Sequence, residues 1–438
     1  MIQGMSIVTL PEKLFTGSRE RLDASFATMA ATEAENRAGV PSIKGETYTM
    51  ATVMPKTANW FTYFPEDYRW SSAVSGILGS APWGGSDVGE VDRACRPLRK
   101  SLGDDEAWFE AWRAEGERVH ALARTAEDGG RKITAAAAYL RACHYLQMAE
   151  RFRTPKDKLA LDAYREGVEC FHRFARLTER PRIEVVEVPY QGGSLPAYFV
   201  HAENTDLTRR SCMVFFDGLD ITKELQYLRG VPDLVRRGIA CLIVDGPGTG
   251  EAIRFRGHYL RHDYEVAGSA ALDYLVTRPD VDAARIGVMA VSLGGYYAPR
   301  CASMDARFKA CIAWGAIWDY HATWKRRIES GFRASMSVPG HHITWILGAS
   351  SLEDALAKLE GFRLDGVVQR MRCAFLLTHG ADDEQIPLRD AQALFDAVGS
   401  ADKTFRVFTT EEGGSQHCQR DYMTHGTSVM YDWLAEKL

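Results

Sequence analysis

From Pro181 to the end of the chain, short apolar runs alternate with stretches of helical spacing, and this alternation is the strongest constraint on the fold. The runs are Cys212–Phe216, Ile239–Val244, Arg285–Val291, Ala310–Trp314, Ala374–Thr378 and Phe405–Phe408. Runs this short and this apolar read as strands buried on both faces, and strands joined through helices run mostly parallel. Ahead of them, Ile183–Val188 and Leu195–Val200 flank Gln191-Gly192-Gly193, the pattern of a β-hairpin. The expectation is an α/β fold with a mostly parallel sheet of about eight strands.

Asp104–Leu177 reads differently. Trp108, Ala111, Trp112, Val119, Leu122 and Ala126 recur at steps of three and four, and Gly129-Gly130 and Thr154-Pro155 supply breaks. About three long helices are expected there. The division is therefore an arm over residues 1–60 to which the sequence assigns no role, a helical unit over 61–180, and an α/β unit over 181–438. Within the last, residues 318–366 interrupt the rhythm with helical, aromatic-rich sequence. They read as an insertion over the sheet edge where open α/β sheets bind ligands.

The composition excludes several classes. Of 438 residues, 46% are hydrophobic and 25% charged, and the formal net charge is −5, which gives no basic face for nucleic acid. None of the nine cysteines forms a CxxC pair, so a zinc site is not expected and the thiols read as buried core residues of a reducing, cytoplasmic protein. The opening MIQGMSIVTLPEK lacks a basic start and a long apolar core, so no secretory signal is expected. No stretch approaches the roughly 20 apolar residues of a membrane span. Asp245-Gly246-Pro247-Gly248-Thr249-Gly250 matches no phosphate-binding pattern and reads as a rigid turn.

The chemistry gathers at three loops. Ala290-Val291-Ser292-Leu293-Gly294 is a G-x-S-x-G elbow with alanine in first place, which sets Ser292 on a tight strand-to-helix turn with its hydroxyl exposed. The alternative is a serine that merely caps a helix. A nucleophilic serine needs a base and a group that orients the base. Asp383 follows the strand ending at Thr378, with Asp382 as its competitor; His417 follows the strand ending at Phe408, with His379 and His425 as the other late histidines. An oxyanion would rest on the amide of Leu293 and on that of Leu219, after Phe216-Asp217-Gly218.

These motifs resemble those of the α/β-hydrolase superfamily over about 181–438. The particular resemblance is to members with an N-terminal helical cap: the 2,6-dihydroxypseudooxynicotine hydrolases, the fungal hydrolases that shorten the yellowish-green pigment polyketide, and the FrsA-like esterases. Phe216-Asp217-Gly218-Leu219-Asp220, Asp245-Gly246-Pro247-Gly248-Thr249-Gly250-Glu251, Ser292-Leu293-Gly294-Gly295-Tyr296-Tyr297 and Gln416-His417-Cys418 carry it. The resemblance implies a cofactor-independent serine hydrolase that cuts a carbon–carbon bond beside a ketone in an aromatic or polyketide-like small molecule. It also implies a homodimer. Esterase or lactonase, acyltransferase, and a silent ligand-binding protein are the alternatives. A second acid for the departing carbon is sought in Asp319 or His321. Asp217, Trp314, Trp318, Tyr320, Trp324 and Trp345 are further candidates for lining a slot for a flat substrate.

Overall fold

In the computed structural model, residues 59–332 and 336–438 are described. The arm expected over residues 1–60 thus lies almost wholly outside the described residues. Five helices come first: α1 (Tyr68–Gly79), α2 (Val88–Leu98), α3 (Asp105–Asp128), α4 (Lys132–Phe152) and α5 (Lys158–Leu177). Asp104 caps α3 by accepting from the amides of Glu106 and Ala107, and Asp157 caps α5 by accepting from Ala160. The Gly129-Gly130 break separates α3 from α4, as the spacing predicts. Helix α4 is buried on nearly all sides from Ala142 to Phe152, because α3, α5 and the sheet surround it.

Eight strands follow. They are β1 (Ile183–Tyr190), β2 (Gly193–Val200), β3 (Arg210–Phe216), β4 (Ala240–Val244), β5 (Val281–Val291), β6 (Ala310–Trp314), β7 (Ala374–Gly380) and β8 (Lys403–Phe408). They form one sheet in the order β1-β2-β4-β3-β5-β6-β7-β8. β2 pairs antiparallel with β1 and β4, and every other pairing is parallel. This is the α/β-hydrolase architecture that the sequence predicts.

The connections carry α6 (Lys223–Tyr227) and α7 (Val231–Arg236) after β3, and α8 (Gly250–Arg254) and α9 (Glu265–Val276) after β4. α10 (Gly294–Met304) follows β5. α11 (Tyr320–Glu329), α12 (His342–Ile346) and α13 (Leu352–Leu359) fill the segment between β6 and β7. α14 (Leu388–Ala397) precedes β8 and α15 (Met423–Lys437) closes the chain.

The period of two along each strand sorts the core into two layers. Met213, Phe215, Cys241, Ile243, Met289, Val291, Ile312 and Trp314 face α1–α7 and α15. Cys212, Val214, Phe216, Leu242, Val288, Ala290, Cys311 and Leu377 face α9–α14. The N-terminal helices thus share one core with the sheet. Because β3 to β8, apart from the antiparallel edge, run the same way, the loops after β3, β5, β6, β7 and β8 meet at one rim. Among the described residues no helix is long and apolar enough to cross a membrane, and all nine cysteines are free, eight of them buried.

Candidate active site

Ser292 stands between β5 and α10 with φ +61°, a left-handed conformation that a serine adopts only when its surroundings enforce it. The enforcement is visible. The Ser292 amide donates to the Trp314 carbonyl at 2.8 Å, and the Ser292 carbonyl accepts from Gly295 at 2.7 Å. The small residues around it are required by contact. A Cβ on Gly294 would come within 2.4 Å of the Ala290 methyl, and one on Gly295 within 2.0 Å of the Gly315 carbonyl. Alanine in the elbow's first position is therefore accommodated only because Gly294 is bare.

The serine hydroxyl lies 2.8 Å from Nε2 of His417. On the other side of the ring, Nδ1 lies 2.7 Å from Oδ2 of Asp383. The second carboxylate oxygen of Asp383 accepts from the amides of Gln385 (2.8 Å) and Ile386 (2.9 Å). Asp383 and His417 are buried, while Ser292 is half-buried. Burial resists ionisation of Asp383, yet the adjacent His417 outweighs it and holds the carboxyl below its ordinary value. Burial is the largest influence on His417 and opposes the charged imidazole, but the Asp383 carboxylate and Cys418 together outweigh it and raise His417 well above its ordinary value. A hydroxyl, a basic imidazole and a fixed carboxylate in line can move a proton off the serine as it attacks a carbonyl.

Of the competing residues, His379 lies beside the triad, with Nε2 3.8 Å from Oδ2 of Asp383. Asp382 accepts from Thr410 and Asn59. His379 is fully buried with Nε2 on the Ile386 carbonyl at 3.0 Å. His425 packs edge-on against Phe408.

The turn after β3 lies directly against the elbow. A Cβ on Gly218 would approach the Val291 carbonyl to 2.4 Å and the Leu293 amide to 2.9 Å. The Leu219 and Leu293 amides donate to no protein acceptor among the described residues. Asp217 fixes the turn by accepting from Gly218 through Oδ1, while its Oδ2 is buried with no hydrogen-bond partner. Burial raises Asp217 to about 6, against the opposing pull of Arg229. Nearby, the Gly-rich loop after β4 is held by charge: Lys223 Nζ lies 3.0 Å from Asp245, and the Asp245 carboxylate also accepts from the amides of Lys223 and Glu251.

The aromatic candidates are dispersed. Trp314 is fully buried in the layer facing the N-terminal helices. Tyr320 and Trp324 pack edge to face in the opposite layer. Trp318 and His321 are half-buried. Trp345 is half-buried and meets Lys156 and Arg254 over its ring. Asp319 caps α11 through the Ala322 amide at 2.8 Å and pairs with Arg363 at 3.2 Å. Among the described residues neither Asp319 nor His321 hydrogen-bonds to Ser292 or His417.

Residues not anticipated by the sequence also reach this rim. Tyr68, at the start of α1, accepts from Gln385 at 3.3 Å beside the Asp383 turn. Ser75 of α1 donates to the Arg420 carbonyl, and Arg420 donates back to Ser72. No local motif announces these contacts, since they join positions more than 300 residues apart.

The family described as Esterase FrsA-like matches residues 104–328, and the prolyl oligopeptidase family matches residues 226–438. The hydrolase acrC of Aspergillus aculeatus is 26% identical over 425 residues, 86% of this chain and 98% of that protein. The 20-hydroxy-prefusarin hydrolase FUS2 of Gibberella moniliformis is 28% identical over 396 residues, 82% of this chain and 94% of that one. Among solved structures, 2,6-dihydroxy-pseudo-oxynicotine hydrolase shares the fold with a TM-score of 0.70 at 23% identity, covering 82% of this chain and 95% of that one.

Proposed function

The chain belongs to the FrsA-like esterase family, is an α/β-hydrolase enzyme, and from that premise we propose that it cleaves a carbon–carbon bond beside a ketone in an aromatic or polyketide-type substrate, with Ser292, His417 and Asp383 as its catalytic residues. The observation that carries this reading is the unbroken line from the Ser292 hydroxyl through His417 to Asp383, with 2.8 and 2.7 Å contacts.

In this reading Ser292 Oγ bonds to the carbonyl carbon while Nε2 of His417 takes its proton. The carbonyl oxygen gathers negative charge and rests on the Leu219 and Leu293 amides. Collapse breaks the bond to the neighbouring carbon, which departs as an enolate and receives the proton from His417. Water then attacks the acyl-enzyme, His417 again serving as base, and releases a carboxylic acid and free Ser292. The relative FUS2, named a 20-hydroxy-prefusarin hydrolase, supports a hydrolytic reaction.

An ester or lactone is the second reading, favoured by the family's esterase description. It uses the same groups with an alkoxide as the departing atom. Two measurements test both. An organophosphonate probe adds one adduct to the intact protein and none to Ser292→Ala. A panel of aryl β-diketones and acyl-phenols is then run against matched esters; esters ahead by orders of magnitude in kcat/KM would reject carbon–carbon cleavage and keep the hydrolase.

A further inference from the structure

Between the N-terminal helices, the segment 221–229 after β3 and the loop before α15 lies a cavity of about 30 Å³ whose wall includes His144, Arg151, Ile221, Arg229 and Arg420. That space suits one carboxylate head or about two waters. Its wall is mostly apolar, with Met148, Leu225, Leu228 and Met423 among its residues, and three cations are set into it. Arg151, Arg229 and Arg420 are 4, 7 and 8% exposed, so three guanidiniums are more than nine-tenths buried around one small space.

Their partners are unequal. Arg151 is committed to Asp220, which accepts from its Nε at 2.8 Å. Arg420 donates through Nη1 to the Ser72 carbonyl and hydroxyl, neither of which carries charge. Arg229 has Asp217 Oδ2 at 3.7 Å, an ion pair without a hydrogen bond. Nη1 of Arg229 and Nε of Arg420 are buried with no hydrogen-bond partner. His144 is held neutral: burial lowers it to about 4, with Nδ1 on the Gly85 carbonyl. Three cations therefore face two carboxylates, and burial already pushes one of these, Asp217, up to about 6. Burial together with Arg151 and Arg229 lowers Arg420 to about 10, the response of a cation crowded by like charge. Buried charge left in this state is costly, and an anion in the cavity offsets it.

The cavity adjoins the chemistry. Arg229 faces Asp217, whose backbone carbonyl would lie 3.2 Å from a Cβ on Gly294 in the elbow. Arg420 lies one turn beyond His417 in the same loop. We propose that this cavity binds a carboxylate, with Arg229 and Arg420 as its donors, and that the hydrolase's substrates carry that carboxylate. The second half rests on the hydrolase reading above; the first does not.

Two arms test it. In the first, the intact chain is melted with acetate replacing chloride at fixed ionic strength, and with acetamide at the same concentration. Acetate raises the melting temperature saturably, acetamide does not, and the rise is lost in Arg229→Met. Arg229→Lys, which keeps the charge without the planar fork, retains part of it. In the second arm, initial rates are compared within two ester pairs. One is 4-nitrophenyl adipate against 4-nitrophenyl hexanoate; the other is 4-acetoxybenzoate against phenyl acetate. A carboxylate in at least one position raises kcat/KM about tenfold, and that ratio collapses in Arg420→Met. No acetate effect and no preference in either pair would show a cavity filled by water alone and overturn the proposal. A saturable acetate effect without preference would show a site for free anions and overturn the substrate half. A saturable effect with hydrolysis of no ester and cleavage of no aryl β-diketone or acyl-phenol would uphold the carboxylate site while rejecting the hydrolase reading.

Discussion

Around Ser292 the buried charges are matched inside the protein. His417 faces Asp383, and Asp383 is further held by two backbone amides. The loop after β4 follows the same plan, with Lys223 contacting Glu224, Asp245 and Glu251 at 2.6, 3.0 and 2.5 Å. On the far side of the Asp217 turn, the arginine cavity leaves a guanidinium nitrogen of Arg229 and another of Arg420 without partners. Both regions are buried to a similar degree, so burial does not explain the difference. A region that must work the same way in every turnover carries its counter-charges with it. A region that expects something to arrive leaves a place for it.

The largest effect expected from breaking this contrast lies in the matched region. Ser292→Ala lowers kcat/KM toward an activated aryl ester by about 10⁴-fold or more, because attack and proton transfer act as one unit. Asp383→Asn gives a loss of about 10³–10⁴-fold and a distinct pH signature. As the proposed base, His417 works only when it has lost its proton. Since Asp383 raises the imidazole above its ordinary 6.5, the parent's kcat/KM climbs with pH through a limb above that value. In Asp383→Asn burial is left unopposed, and the limb moves down. A limb that stays in place in the variant would assign the titration to another group.

Lys223 sharpens the comparison on the stability side. It is 2% exposed, and burial would strip its proton but for Asp245, Glu224 and Glu251. Lys223→Met leaves those carboxylates buried without their cation, at an expected cost of about 3–5 kcal/mol. Urea unfolding followed by near-ultraviolet circular dichroism measures it. A shift in midpoint equivalent to under about 1 kcal/mol would mean that the backbone amides alone hold Asp245.

What could be read from the chain divides along the same line. The eight strands were legible because apolar runs and Gly breaks are local signals, and the elbow because Ala290, Ser292 and Gly294 sit within five residues. The offsets from Gly380 and Pro387 favour Asp383 over Asp382, while the hold of the Gln385 and Ile386 amides on its carboxylate is a matter of backbone turn that residue type does not encode. The arginine cavity was illegible. Arg151 comes from α4, Arg229 from the link between α6 and α7, and Arg420 from the loop after His417, with no shared spacing. Trp314 was misleading in a different way. Its aromaticity suggested a slot for substrate, yet its place at the end of β6 faces it toward the helical layer, where it fills core.

A smaller effect probes the elbow that both regions border. Gly294→Ala drives a methyl toward that of Ala290 at 2.4 Å and is expected to cost about 1–3 kcal/mol, with a matching drop in active-site labelling by a phosphonate. Ala290→Gly removes the opposing methyl, after which the next contact is the Asp217 carbonyl at 3.2 Å. The double variant therefore recovers most of the loss. Additive costs in the double variant would show that the strain at Ser292 comes from elsewhere in the turn.

The smallest expected effect is the most telling for the contrast. Arg420→Met removes a buried cation that has no carboxylate in hydrogen-bond contact, at the expense of two bonds to Ser72. Replacing a poorly compensated buried charge by an apolar side chain of similar length is close to neutral, so the change in unfolding free energy should stay within about 1 kcal/mol in chloride buffer without carboxylate. Lys223→Met and Arg420→Met each delete one buried positive charge, and they differ in whether that charge was matched. Equal costs for the two would mean that Arg420 is balanced by Asp220 and its neighbours over a longer range, and the cavity would then need no outside partner. A near-neutral Arg420→Met whose stability no longer responds to acetate, beside a parent that does respond, would place the missing counter-charge in solution.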